Sequence, residues 1–208
     1  MKTFIWIGGI IVVLIALMVW GVRGTSVSTS FDVGTISQGD NVKGNASSTV
    51  VLIEYSDFQC PACRTYYGVT RQIMAEFGGD IALVYRYFPL TGLHANAEFA
   101  ARAAEAAGKQ DKFWEMHDLL FEKQDEWSKT ANVQPLFESY ATLLGISVEK
   151  FKSDFLSNEV KDFVRSQRVS AMKLGLQGTP TFFVNGEQIQ NPSSVEAFRS
   201  IIQKALQN

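Results

Sequence analysis

Cys60-Pro61-Ala62-Cys63 sets the only two cysteines of the chain three positions apart, a spacing that lets the thiols close a disulfide. The pair follows a strand-like run, Val50 to Tyr55, and opens a segment that reads as a helix to Phe77. With Cys60 as the N-cap, Pro61 takes the first helical position, where its missing N–H costs nothing, and the N–H groups of Ala62 and Cys63 point back at the Cys60 sulfur. Those groups have no partner within the helix and carry about half a positive charge between them, so a thiolate is stabilised there. Cys60 is therefore expected to be acidic, exposed and reactive, and Cys63 more buried. Two blander uses compete. A structural zinc site wants a full set of protein ligands, and besides these cysteines the chain offers only His94 and His117, with no second CxxC and no HxxxH. A purely structural disulfide over so short a loop would constrain the unfolded chain little.

Thiol chemistry needs a proton acceptor and a frame. Glu54 stands inside the apolar, β-branched run Thr49 to Ser56, which reads as a buried central strand. Buried there, its carboxyl pKa would rise by desolvation and it would accept protons from the thiols; on a strand edge it would only face solvent. The helix from Pro61 is expected to stop at Gly78-Gly79 in a left-handed turn, and Ile81 to Phe88 reads as a second strand. Strand, helix, strand implies a right-handed crossover between parallel strands.

From Ala95 to Leu174 the pattern turns helical, broken near Gly108, Thr130 and Gly145, an all-helical insert in an α/β frame. Within it His117 shares a face with Phe113, Met116, Leu120 and Phe121, the position of a core histidine, while His94 stands just before a helix, a place that suits an end cap and a catalytic group equally. Ser147 is placed to cap a short helix. The strand pattern returns at Gly178-Thr179-Pro180-Thr181-Phe182-Phe183-Val184, and Asn185-Gly186 marks a hairpin into Glu187 to Gln190. Pro180 ahead of an apolar strand suits a strand start, and a cis bond after Thr179 would leave the Thr179 backbone open at a sheet edge. Ser193-x-x-Glu196 reads as a capping box for a last helix.

A chain of 208 residues, 46% hydrophobic and 12% aromatic, holds one domain with an insertion. With 19 basic against 21 acidic residues and no basic cluster, nucleic acid is excluded as an expected partner. Ahead of the domain, Phe4 to Val22 is a run of 19 residues without a charge, framed by Lys2 and Arg23. As a helix it reaches about 28 Å, near the thickness of a bilayer's hydrocarbon. It exceeds a cleaved signal's apolar core and no Ala-x-Ala site follows, so residues 1–23 are expected to be an uncleaved membrane anchor. Residues 24–39, rich in Ser, Thr and Gly, are expected to be a flexible tether, and 40–208 the folded domain.

Three segments, Glu-Tyr-Ser-Asp-Phe-Gln-Cys-Pro-Ala-Cys (54–63), Phe-Trp-Glu-Met-His-Asp-Leu-Leu-Phe (113–121) and Gly-Thr-Pro-Thr-Phe-Phe-Val-Asn-Gly (178–186), resemble the thioredoxin superfamily, and within it the membrane-anchored DsbA-like thiol:disulfide oxidoreductases of bacteria. The resemblance implies a thioredoxin-like fold with helices inserted after the second strand. It makes Cys60 the attacking and Cys63 the resolving cysteine, Thr179-Pro180 the cis-proline loop against the disulfide, and Glu54 the buried acid. The chain departs from the best-known DsbA pattern at Ala62, where a histidine commonly stands. No bound cofactor or metal is implied, since the Cys60–Cys63 disulfide is itself the redox group. The expected function is to introduce disulfides into proteins folding outside the cytoplasm, with a membrane redox partner removing electrons from the dithiol. A reductase or isomerase on the same frame, or a tethered peptide- or soft-metal-binding protein, are the alternatives.

Overall fold

The computed structural model describes residues 31–207, so the expected membrane anchor lies outside the described residues. Among those residues no helix is long and apolar enough to cross a membrane. The elements in chain order are β1 (Asn41–Gly44), β2 (Val51–Ser56), α1 (Pro61–Phe77), β3 (Ala82–Tyr87), α2 (Ala97–Gly108), α3 (Phe113–Glu122), α4 (Gln124–Trp127), α5 (Gln134–Leu143), α6 (Val148–Leu156), α7 (Asn158–Lys173), β4 (Thr181–Val184), β5 (Glu187–Ile189) and α8 (Val195–Leu206). They build one sheet in the order β1-β3-β2-β4-β5.

β2 is the central strand because it is apolar on both faces, and every one of its residues is buried. It runs parallel to β3, Val51 opposite Ala82, and antiparallel to β4, Glu54 opposite Phe182. On one face Leu52, Leu83 and Phe182 pack under α1 and α8 through Ile73, Phe77, Phe198 and Ile202. Burying side chains such as Phe198 and Ile202 stabilises the fold by about 1.5–3 kcal/mol each. Tyr85 and Tyr87 carry the same face into an aromatic cluster with Phe58, Tyr67, Phe113 and Phe121, which joins the helical insert to the frame. The other face, Val51, Ile53, Tyr55 and Val84, is covered by the end of α7 and by Val33, Ile36 and Val42.

That second face carries a buried cation. Arg86 is 0% exposed and grips both carboxylate oxygens of Asp40, at 3.0 and 2.7 Å, while its other donors reach Asp32 O, Thr35 O, Ser37 Oγ and the Tyr55 hydroxyl. Residues 31–39, within the segment expected to be tether, are therefore held against the sheet.

The structure corrects several local expectations. β1 was not foreseen; it pairs antiparallel with β3, and Gly44 ends it at φ +88, where a Cβ would lie 2.5 Å from Ile81 O. α1 does end at Phe77, but Gly78 is right-handed at φ −62, and glycine is needed there for close approach, since a Cβ would meet Met74 O at 2.5 Å. Ser194, not Ser193, caps α8 by accepting from Ala197 N. The hairpin and the Ser147 cap stand as read: Asn185 and Gly186 both have positive φ, 49 and 89, and Ser147 Oγ accepts from Lys150 N at 3.2 Å.

Candidate active site

Cys60 is the N-cap of α1, extended at φ −72 and ψ 124, with Pro61 in the first turn. Its thiol is drawn down to about 5. The largest cause is a hydrogen bond from the Cys63 thiol, joined by the N–H of Cys63, the Thr179 hydroxyl and the N–H of Ala62, while burial works against them. The two N–H groups are the helix-start stabilisation the proline spacing suggested, but they come after the Cys63 thiol, which the helix start alone does not include. The expectation that Cys60 would be exposed is corrected: it is 8% exposed, packed beneath the loop before β4, with its Sγ 3.5 Å from Thr179 O. Cys63 is fully buried, and burial together with the neighbouring Cys60 pushes its pKa well above the ordinary thiol. Both cysteines are free. The Thr179–Pro180 bond is cis.

Glu54 lies below the thiols on β2, 2% exposed, and desolvation raises its pKa to about 7, with the Ser56 hydroxyl offsetting part of the rise. Ser56 projects from the same strand face two residues on, and the Tyr85 hydroxyl is held well above its usual range by burial and then by the charges of Glu54 and Cys63. Glu54 Oε1, Ser56 Oγ, Tyr85 OH and Thr179 Oγ1 are buried without a hydrogen-bond partner of normal geometry. A polar seam thus runs under Cys63 inside an otherwise apolar core.

The histidines divide. His117 is in the core, ringed by Phe58, Tyr67, Tyr85, Trp114 and Phe121, and burial lowers its pKa. His94 is not an end cap; Asn96 holds that position for α2, and His94 Nδ1 lies 2.7 Å from Asp57 Oδ2. Asp57 is one of several residues around the thiols that sequence reasoning passed over. Gln59 Nε2 donates to Ser128 O at 2.7 Å and its Oε1 accepts from Asn96 N at 2.7 Å, while Gln124 Nε2 caps the carbonyls of Phe58, at 2.7 Å, and Cys60, at 3.1 Å. The single advance signal was polarity: Asp57 and Gln59 interrupt an apolar stretch directly before Cys60.

A family model described as Thioredoxin matches residues 37–204. The chain belongs to the thioredoxin family. The crystal structure of oxidised BdbD from Bacillus subtilis superposes with a TM-score of 0.75 at 25% identity, covering 86% of this chain and 99% of that one. Alpha-DsbA1 of Wolbachia pipientis, at 19% identity, shares the fold with a TM-score of 0.72 over 83% of this chain and 94% of that one. The fold is that of the DsbA-like thiol–disulfide oxidoreductases. In sequence, the Na(+)/H(+) antiporter NhaA 1 of Mycolicibacterium vanbaalenii is 40% identical over 157 residues, which are 74% of this chain and 24% of the antiporter. The chain spans about a quarter of the length of the curated relatives it matches.

Proposed function

We propose that this thiol–disulfide oxidoreductase works as an oxidase, passing the Cys60–Cys63 disulfide to reduced or unfolded proteins outside the cytoplasm. The observation that carries the direction is the placement of the two thiols, Cys60 at the start of α1 facing the N–H groups of Ala62 and Cys63 and drawn down to about 5, and Cys63 buried behind it and held well above the ordinary thiol. A thioredoxin thiol near pKa 7 serves a reductant and a DsbA thiol near about 3.5 a strong oxidant; a value between them supports a moderate oxidant. That fits Ala62, which adds no charge beside the thiolate.

A substrate thiolate attacks Cys60 Sγ, the bond to Cys63 breaks, and its electron pair passes to the Cys63 sulfur, which takes a proton. Glu54, near neutrality, is suited to supply that proton and to recover it. A second substrate thiolate then attacks the substrate sulfur of the mixed disulfide, leaving Cys60 as its stabilised thiolate and the substrate oxidised. A membrane partner accepting two electrons restores the disulfide. The apolar run Phe4 to Val22 supports anchorage, and the thiol chemistry supports a domain on the extracytoplasmic side. A glutathione redox titration of the purified protein tests the direction. An oxidase should have a potential between about −120 and −210 mV, and one at or below thioredoxin's, about −270 mV, would make the protein a reductase.

A further inference from the structure

We infer that Asp57 and His94 form a brace that aims the Asp57 N–H at Cys63, so that a fixed donor receives the charge arriving on that sulfur when the disulfide opens. The inference rests on the exchange chemistry proposed above but not on its direction. The Asp57 N–H donates to Cys63 Sγ at 3.5 Å. The Asp57 side chain is 0% exposed, and its carboxylate accepts from three donors: Gln59 N at 2.7 Å on Oδ1, and Leu90 N at 2.9 Å and His94 Nδ1 at 2.7 Å on Oδ2. A carboxylate only accepts, so Nδ1 carries the proton in this pair. Gln59 N alone would complete an ordinary Asx turn. The donors on Oδ2 come instead from the segment after β3, itself tied to the end of β2 by Phe88 N on Ser56 O at 2.8 Å. Burying a carboxylate is costly unless its partners are well placed. A turn does not require that outlay, whereas a rigid N–H beside a buried sulfur does. As the disulfide opens, the electron pair of the broken bond arrives on Cys63 in a site that water barely reaches, and a preorganised donor is most effective there. Asp57 supplies the donor and His94 is the positioning residue.

The test compares two rates in the full-length protein. One is disulfide opening by a synthetic peptide thiol, followed by stopped flow on the oxidised enzyme; the other is alkylation of Cys60 in the reduced enzyme. His94→Leu should slow opening about threefold or more and leave Cys60 alkylation unchanged. His94→Asn, whose amide N–H can replace Nδ1–H on Asp57, should recover most of the loss. An unchanged opening rate, an equal fall in both rates, or an asparagine no better than leucine would overturn the brace. If His94→Leu does not fold, Asp57→Asn, which keeps one acceptor and loses the other, is held to the same two-rate criterion. A wild-type protein that exchanges with no thiol would overturn the parent reading instead.

Discussion

The acidity of Cys60 predicts how the redox potential should bend with pH. The thiolate's contribution to the reduced fold is fully present above the unfolded-state thiol pKa, about 8.5, and is lost as pH falls through about 5. At pH 7 the folded pKa lies about two units below the solution pH, and at about 1.4 kcal/mol per unit the reduced form gains about 3 kcal/mol over the oxidised form. For a two-electron couple that is about 60 mV towards the oxidant, a ceiling, because solvent at the rim of Cys60 screens part of it. Between the two thiol pKa values reduction takes up one proton, so the potential should fall by about 30 mV per pH unit; below about pH 5 it takes up two and the slope should double to about 59 mV. Redox titrations from pH 4 to 8, paired with the ultraviolet absorbance of the thiolate, would show both the break and its assignment. A single slope of about 59 mV across the range, or a thiolate transition above pH 7, would refute the reasoning and with it the case for an oxidase.

Three further outcomes follow from the site and its support. Cys63→Ala should accumulate mixed disulfides with substrate proteins, since no Cys63 thiol remains to attack Cys60 and release a substrate whose own second thiol has not done so, while Cys60→Ser should trap few; equal trapping on non-reducing gels would overturn the roles. Glu54→Gln should slow exchange and remove the inflection near pH 7 from the rate profile, yet stabilise the fold at pH 8. The sign follows from a folded pKa raised from 4.5 to about 7: the ionised carboxylate destabilises by up to about 3 kcal/mol above pH 7, and this is relieved as pH falls. A denaturation midpoint unchanged or lowered at pH 8 would count against a buried, costly carboxylate. Arg86→Met should destabilise by about 3–5 kcal/mol in denaturant by stranding Asp40, and should leave the Cys60 alkylation rate as it was.

What the sequence disclosed was what depends on neighbours in the chain. Pro61 beside Cys60, Asn185 beside Gly186, and the β-branched run before the thiols each state their geometry locally, so the cap, the hairpin and the central strand were legible. Glu54 stood out as a charge inside that run. β1 could not be read because Asn41–Gly44 is short and mostly polar; it is a strand only through its pairing with β3, beside the Arg86–Asp40 grip. His94 meets Asp57 across 37 positions, and Gln124 meets Cys60 across 64, distances over which no local pattern carries information. Gly78 was legible as a stop and misread as to cause, because crowding and handedness both select glycine.

Gln124 and Asn96 bear on modularity. An inserted subdomain is often treated as an addition that can be trimmed to recover a minimal frame. Here Gln124 satisfies the carbonyls of Phe58 and Cys60, and Asn96 fixes Gln59 while its own amide holds the carbonyls of Trp127 and Thr130. Excising the insert would leave the buried Phe58 carbonyl without its Gln124 donor, at a cost of about 1–3 kcal/mol for a stranded acceptor, and would take from Cys60 O one of its two donors, the other being Arg64 N. The helices are the mould in which the active-site turn is cast, so transplanting the CxxC of this chain into a smaller scaffold requires transplanting its amides as well.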